Sequence, residues 1–159
     1  MRGAAVDART NLGKTALILA SQAGHALVVR ALLGAGADAN AHTGGSGWTS
    51  LHAASQHGRL EVVRELIKGN AHLDALTELR RTPLMSACSN GHLMCAAALI
   101  GFGADIRLLD HEGISARGKA ERRLEVDDEE PEEGSKPTTT LLRAQHRRLV
   151  RALKGMGAR

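Results

Sequence analysis

The chain has 159 residues, with 21 Lys plus Arg against 17 Asp plus Glu, for a formal charge of +4. Apolar residues make up 43% and charged ones 24%, which suits one soluble globular domain and argues against a wholly disordered or membrane-embedded chain. Ala fills 26 positions and Leu 22, beside one Trp, one Phe and no Tyr, so the core must be small aliphatics at close backbone approach and a β-sandwich is disfavoured.

The most apolar window, Thr15 to Val29, contains Gln22, Gly24 and His25, and no stretch reaches the roughly 18 uncharged apolar residues of a membrane helix. The opening MRGAAVDARTN has no apolar run of the kind a signal peptide needs. Cys88 and Cys95 are too few for a disulfide framework, which points to cytosol or nucleus. Nothing in the composition indicates an enzyme.

In chain order, the sequence repeats itself. Residues 3–8, GAAVDA, match Gly36 to Ala41, GADANA, at an offset of 33, so the chain opens on the tail of a unit. Either a fragment or a poorly capped first repeat is expected from this. Gly13 to Ala41 then matches Gly47 to Ala75 at an offset of 34, and Arg80 to Leu108 follows at 33. In each unit a Thr (Thr15, Thr49, Thr82) N-caps a short apolar helix, with Pro83 at the permitted first position in the third. A turn glycine follows (Gly24, Gly58, Gly91), suited to left-handed backbone. A second helix then carries Val28-Val29 with Leu32-Leu33, Val62-Val63 with Leu66-Ile67, or Ala96-Ala97 with Leu99-Ile100 on one face. The pattern predicts helices near residues 16–23, 26–34, 50–57, 60–68, 83–90 and 93–101.

The strings TALILA, TSLHAA and TPLMSA, each followed by GH or GR, with LLGAGADANA, LIKGNAHLDA and LIGFGADIRL after them, resemble ankyrin repeats over about residues 3–116. The resemblance implies an all-α solenoid of three complete helix-turn-helix repeats with partial repeats at both ends. Units are expected at about 9–41, 42–75 and 76–108, after a partial unit at 1–8 and before a degenerate one at 109–120. It further implies a non-catalytic module that binds another protein, as a monomer, through projecting fingers and the concave face of the first helices. The contact positions so implied are Asn11, Leu12, Lys14, Ser46, Trp48, Glu78, Leu79 and Arg81 on fingers, with Gln22, Gln56, His57, Ser89 and Asn90 at the helix ends. His52 matches the histidine of the family's TPLH motif, implied to bond backbone between repeats.

Three departures stand out. The finger NAHTGGSGWT is one residue longer than its equivalents. Arg80 stands where Gly13, Gly47 and Gly113 stand, and is strained if that site needs positive φ. In the fourth unit Arg117 replaces Leu17, Leu51 and Leu84, and a buried Arg is costly, so the unit is expected to end the stack.

Other chemistry is thin. Ala8 to Thr15, ARTNLGKT, fits a relaxed phosphate-loop pattern, but no strand precedes it and the same positions recur without Lys, so it reads as coincidence within a repeat. The Gly44 to Gly47 run reads as a flexible finger insertion. Eight His show no metal-ligand spacing, Cys88 and Cys95 align with small or apolar core positions, and no catalytic, cofactor or metal residues emerge. Trp48 has two readings: a partner anchor, or a ring lying half-buried across its own finger.

Residues 1–110 carry +2, 111–140 carry −4 and 141–159 carry +6. The acidic segment 121–140 reads as a disordered linker. Residues 141–159 read as a basic amphipathic helix, with Leu142, Leu149, Leu153 and Met156 opposite Arg143, Arg147, Arg151 and Lys154. That stripe can cap the open end of the stack, which is favoured, or meet an anionic membrane or an acidic partner; in a third reading the acidic linker shields the six basic residues until a partner competes. Specific nucleic-acid binding is not indicated, because no aromatic platform for bases exists. A regulatory piece of a larger enzyme or membrane protein is the alternative role.

Overall fold

Thr15, Thr49 and Thr82 each end an extended finger and start a helix. Their hydroxyls accept from Ile18 N at 3.3 Å, His52 N at 3.4 Å and Met85 N at 3.1 Å. Ser115 does the same for Gly118 N at 3.3 Å. Each bond satisfies a backbone donor that the first helical turn otherwise leaves open. The computed structural model describes residues 5–128 and 137–156, without the side chains of 124–128, 137–143, 145 and 146.

The capped helices are α1 (Ala16–Ala23), α3 (Ser50–Gln56), α5 (Pro83–Asn90) and α7 (Ala116–Asp128). The second helices are α2 (Ala26–Gly34), α4 (Leu60–Lys68), α6 (Leu93–Gly101) and α8 (Pro137–Met156). The first six fall on the spans that the apolar periodicity predicts, with α3 one residue shorter. All eight are α-helical, and among the described residues the fingers contribute only isolated β-bridges. The fold is therefore an all-α repeat array.

First helices pack on first helices, α1 on α3, α3 on α5, α5 on α7; second helices follow α2, α4, α6, α8 in a parallel row. The core lies between the rows. Leu17, Leu51 and Leu84 fill it from one side, and Val62, Leu66 and Leu99 from the other, all at most 1% exposed. Small residues at Ala20, Ala54 and Ala87 let neighbouring helices approach. At the N-terminal end two helix positions are more open than their equivalents in the second repeat. Val28 is 49% exposed where Val62 is fully buried, and Leu19 is 43% exposed where Ala53 is buried.

The C-terminal end departs from the expected boundaries in a way that makes physical sense. The segment 121–140 does not begin as linker, because α7 runs on to Asp128 and α8 starts at Pro137. The expected disorder of 129–136 lies outside the described residues. α8 packs on both α6 and α7, the place a second helix of the fourth unit would take. Leu149 and Leu153 are 1% exposed there, and Val150, absent from the expected stripe, is also buried. Met156 remains 43% exposed and Leu142 lies among the side chains not described. The stripe at Leu149 and Leu153 is thus occupied by the stack itself, which leaves no free apolar face at those residues for a membrane or a second protein. Arg117 avoids the expected burial cost by pointing out, its Nε 3.0 Å from Glu121 Oε1.

Each finger closes with the same backbone bond: Thr10 N to Lys14 O, Thr43 N to Trp48 O, Thr77 N to Arg81 O and Asp110 N to Ile114 O. The second spans one residue more, so the extra residue is absorbed at the Gly44-Gly45 tip without disturbing register. The turn before each cap needs left-handed backbone: Gly13, Gly47 and Gly113 have φ near +70°, and Arg80 is held at φ 55°. A side chain there costs about 1 kcal/mol that glycine does not incur. Arg80→Gly should therefore raise unfolding free energy by about 0.5–1 kcal/mol. Urea titration of the two proteins checks this, and a destabilised variant would show that the Arg80 side chain offsets its own strain.

Candidate functional site

The residue just before each helix cap leans over the helix that it precedes. Lys14 Nζ donates to Gln22 Oε1 at 3.0 Å, and Arg81 Nη2 donates to Ser89 Oγ at 3.0 Å, each eight residues on. Trp48 occupies the equivalent place between them. Its ring is half-buried, with an edge against the His52 ring at a centroid distance of 5.3 Å. Its backbone N–H is held by Thr43 Oγ1 at 3.1 Å.

Of these residues Lys14, Gln22 and Trp48 line a cleft of about 350 Å³ between the fingers and the first helices of two repeats. Lys14, Gln22, Ser46, Trp48, Gln56 and His57 lie on it, and Ile18 and Ala53 form its floor. The fold thus brings together six of the positions expected to contact a partner. Arg81 and Ser89 sit one repeat further along the same face, paired with each other. Asn11, Leu12, Glu78 and Leu79 are exposed on fingers, with Leu12 76% and Leu79 51% exposed. Asn90 is exposed but its amide donates to Ser86 O at 2.9 Å, which ties it to its own helix.

His52 serves the scaffold beneath this surface. It is fully buried, with Nε2 2.9 Å from Arg81 O in the next repeat and Nδ1 2.9 Å from Thr49 Oγ1. One neutral tautomer satisfies both: Nε2–H donates to the carbonyl and Nδ1 accepts. Burial holds its pKa down at about 4, against 6.5 unperturbed, although the Arg81 carbonyl pulls upward. The unfolded chain therefore takes up a proton first. Stability is full above pH 6.5 and falls as pH drops from 6.5 towards 4, by about 2 kcal/mol between pH 7 and 5. His52→Gln should flatten that slope in urea titrations at pH 7 and 5. Parallel losses in both proteins would place its origin elsewhere.

Two further sets of bonds join the repeats, and of their residues sequence reasoning reads only His92 as structural. Asp7, Asn40 and Asp74 accept from the backbone N–H of Asp38, His72 and Asp105, at 3.2, 2.8 and 3.0 Å. Their spacing of 33 and 34 was the available signal. Arg59 Nε donates to Gln22 O at 3.3 Å and His92 Nε2 lies 2.9 Å from Gln56 O, each capping the preceding repeat's first helix. A Cβ on Gly58 would come within 2.6 Å of the His92 ring, so this turn needs glycine for space as well as for its φ of 66°.

Cys88 and Cys95 are buried free thiols whose pKa values burial pushes up to about 12 and about 11. That makes them poor nucleophiles at neutral pH. Lys14 and Thr15 of the phosphate-loop-like string are engaged with Gln22 and the Ile18 amide. Among the described residues no helix is long and apolar enough to cross a membrane, and no group of three or more His, Cys, Asp or Glu is placed to hold a metal ion.

The chain is similar to known repeat proteins over most of its length. Residues 17–110 match the family model described as ankyrin repeats in three copies. The nuclear factor NF-kappa-B p105 subunit of Gallus gallus is 30% identical over 138 residues, covering 86% of this chain and 14% of that protein. The ankyrin repeat and KH domain-containing protein mask-1 of Caenorhabditis elegans is 39% identical over 123 residues, covering 77% of this chain and 5% of its own length. This chain therefore spans only a small part of either relative. The fingers, paired helices and repeat-to-repeat bonds, with the family match across residues 17–110, show that the chain belongs to the ankyrin-repeat family.

Proposed function

We propose that the chain is a non-catalytic protein-interaction module that holds its partner in the cleft between the fingers and the first helices. The observation that carries this is the convergence of Lys14, Gln22, Ser46, Trp48, Gln56 and His57, from two repeats, on one cleft. Family members generally bind other proteins, and a stack of this kind offers a fairly rigid surface for doing so. The module acts as a monomer in cytosol or nucleus, a reading supported by two free buried thiols.

Trp48 is the expected anchor. A half-exposed indole beside a small apolar floor offers a partner contact area at low entropic cost. Trp48→Ala should weaken binding of a partner captured by affinity purification by about 2 kcal/mol or more, measured by calorimetry, with little change in melting temperature. A large loss of stability with unchanged affinity would make Trp48 a packing residue of its own finger and defeat the anchor role.

A second reading is favoured by one fact: the chain covers only 14% and 5% of its two relatives. In that reading the repeats serve as the docking segment of a larger protein. Long-read transcript sequencing upstream of the start codon tests it: an in-frame extension supports it and an immediate stop codon defeats it.

A further inference from the structure

Successive repeats place Lys14, Trp48 and Arg81 in one row along the fingers, since the three are equivalent positions at offsets of 34 and 33. The row is a cation, an indole and a cation. Lys14 and Arg81 are each tied down by one hydrogen bond, to Gln22 and Ser89, at 3.0 Å. An ammonium has three donors and a guanidinium five; Arg81 Nε is buried without a hydrogen-bond partner, so the donors left for an incoming acceptor are those of Lys14 Nζ and the Arg81 Nη atoms.

The surrounding charge has the same sign. In the first three repeats the finger and first-helix segments 9–23, 42–57 and 76–90 hold Arg9, Lys14, Arg80 and Arg81 against Glu78 alone. The second-helix segments 24–41, 58–75 and 91–108 hold equal numbers of acids and bases. In the first three repeats the excess therefore falls on the finger and first-helix segments, and none of the four cations forms a salt bridge to that acid among the described residues. Screening by salt limits such an excess to close approach, where the cleft walls bring a ligand in any case.

We infer that the cleft, together with Arg81 one repeat beyond it, takes an extended acidic segment of a partner protein. An apolar side chain sits on Trp48 and carboxylates flank it at Lys14 and Arg81. The inference rests on the groove reading given above and adds the chemistry of the partner. A nucleic acid also carries negative charge, but the row offers a single indole and the chain has no Tyr, so successive bases find no stacking platform. Short charge-assisted bonds from Lys and Arg to carboxylates, with one apolar anchor between them, match the row as built.

The test is selection of a random peptide library on the full chain, followed by titration of the selected peptide. Trp48 is the only Trp, so its emission reports occupancy of this cleft directly. Asp and Glu should be enriched around an apolar residue. Lys14→Glu and Arg81→Glu should each weaken the selected peptide about tenfold or more, with unchanged melting temperature. Selected peptides that shift Trp48 emission yet lack an acidic excess, or bind both charge reversals as well as the parent, overturn the acidic partner while leaving the groove reading intact. Selection that yields nothing sensitive to Trp48→Ala overturns the groove reading itself. Single-stranded dT20 that binds and is lost in both charge reversals, with no acidic peptides selected, assigns the row to phosphate and overturns the inference.

Discussion

Leu66→Ala lowers the unfolding free energy by about 2–5 kcal/mol, the range for buried Leu truncations that leave part of a cavity behind. Leu66 is 0% exposed on α4, which packs on α3 of its own repeat and on α2 and α6 on either side. Truncation there loosens two repeat interfaces together with one intra-repeat contact. In a quasi-one-dimensional stack, stability is close to a sum of such interface terms, so a central repeat is the most sensitive place to lose them. Leu27→Ala is the matched control. Leu27 is 76% exposed, and its truncation should change stability by no more than about 0.5 kcal/mol. Urea titration of both variants decides the matter: equal effects would mean that the register of α4 is wrong.

Ending the chain at residue 128, which removes α8 and keeps α7, should cost roughly 2–4 kcal/mol and clearly lower the melting temperature. Leu149, Val150 and Leu153 are each at most 7% exposed, and burying a side chain of that size contributes about 1.5–3 kcal/mol. Ordering the helix offsets part of that gain, which is why the net figure is smaller than the sum. Removal also uncovers the sides of α6 and α7 on which α8 packs. Lys154 Nζ lies 3.5 Å from Glu121, but that pair is largely exposed and adds little. Unchanged melting in the truncated chain, with loss of binding to anionic vesicles by comparison with the full chain, would show that α8 serves an outside target instead.

Much of this molecule was legible in its residues. The 33- and 34-residue offsets located α1 to α6 because each unit carries its own cap, turn and apolar face within a short stretch. Positive φ at Arg80 followed from its alignment with Gly13, Gly47 and Gly113, a constraint that acts within a few bonds. The expected contact positions on the fingers could be named from the sequence, but not the shape of the surface that they line. Only the stack shows that Lys14 and Trp48, 34 residues apart, line one cleft, whereas Asn90 bonds back to its own helix.

The C-terminal end shows where sequence alone stops. Arg117 looked incompatible with a leucine site, but that site is buried only where another repeat covers it, and here the side chain turns out to Glu121. The acidic run that breaks the repeat period hid the full length of α7, although docking of the C-terminal helix on the open end was the favoured expectation. Local periodicity by itself determined the helices, caps and strained turn, because those depend on residues within one or two turns. The tertiary structure decided the docking of α8, the burial of Val150 and the composition of the cleft, because burial at these places is set by neighbours one whole repeat away.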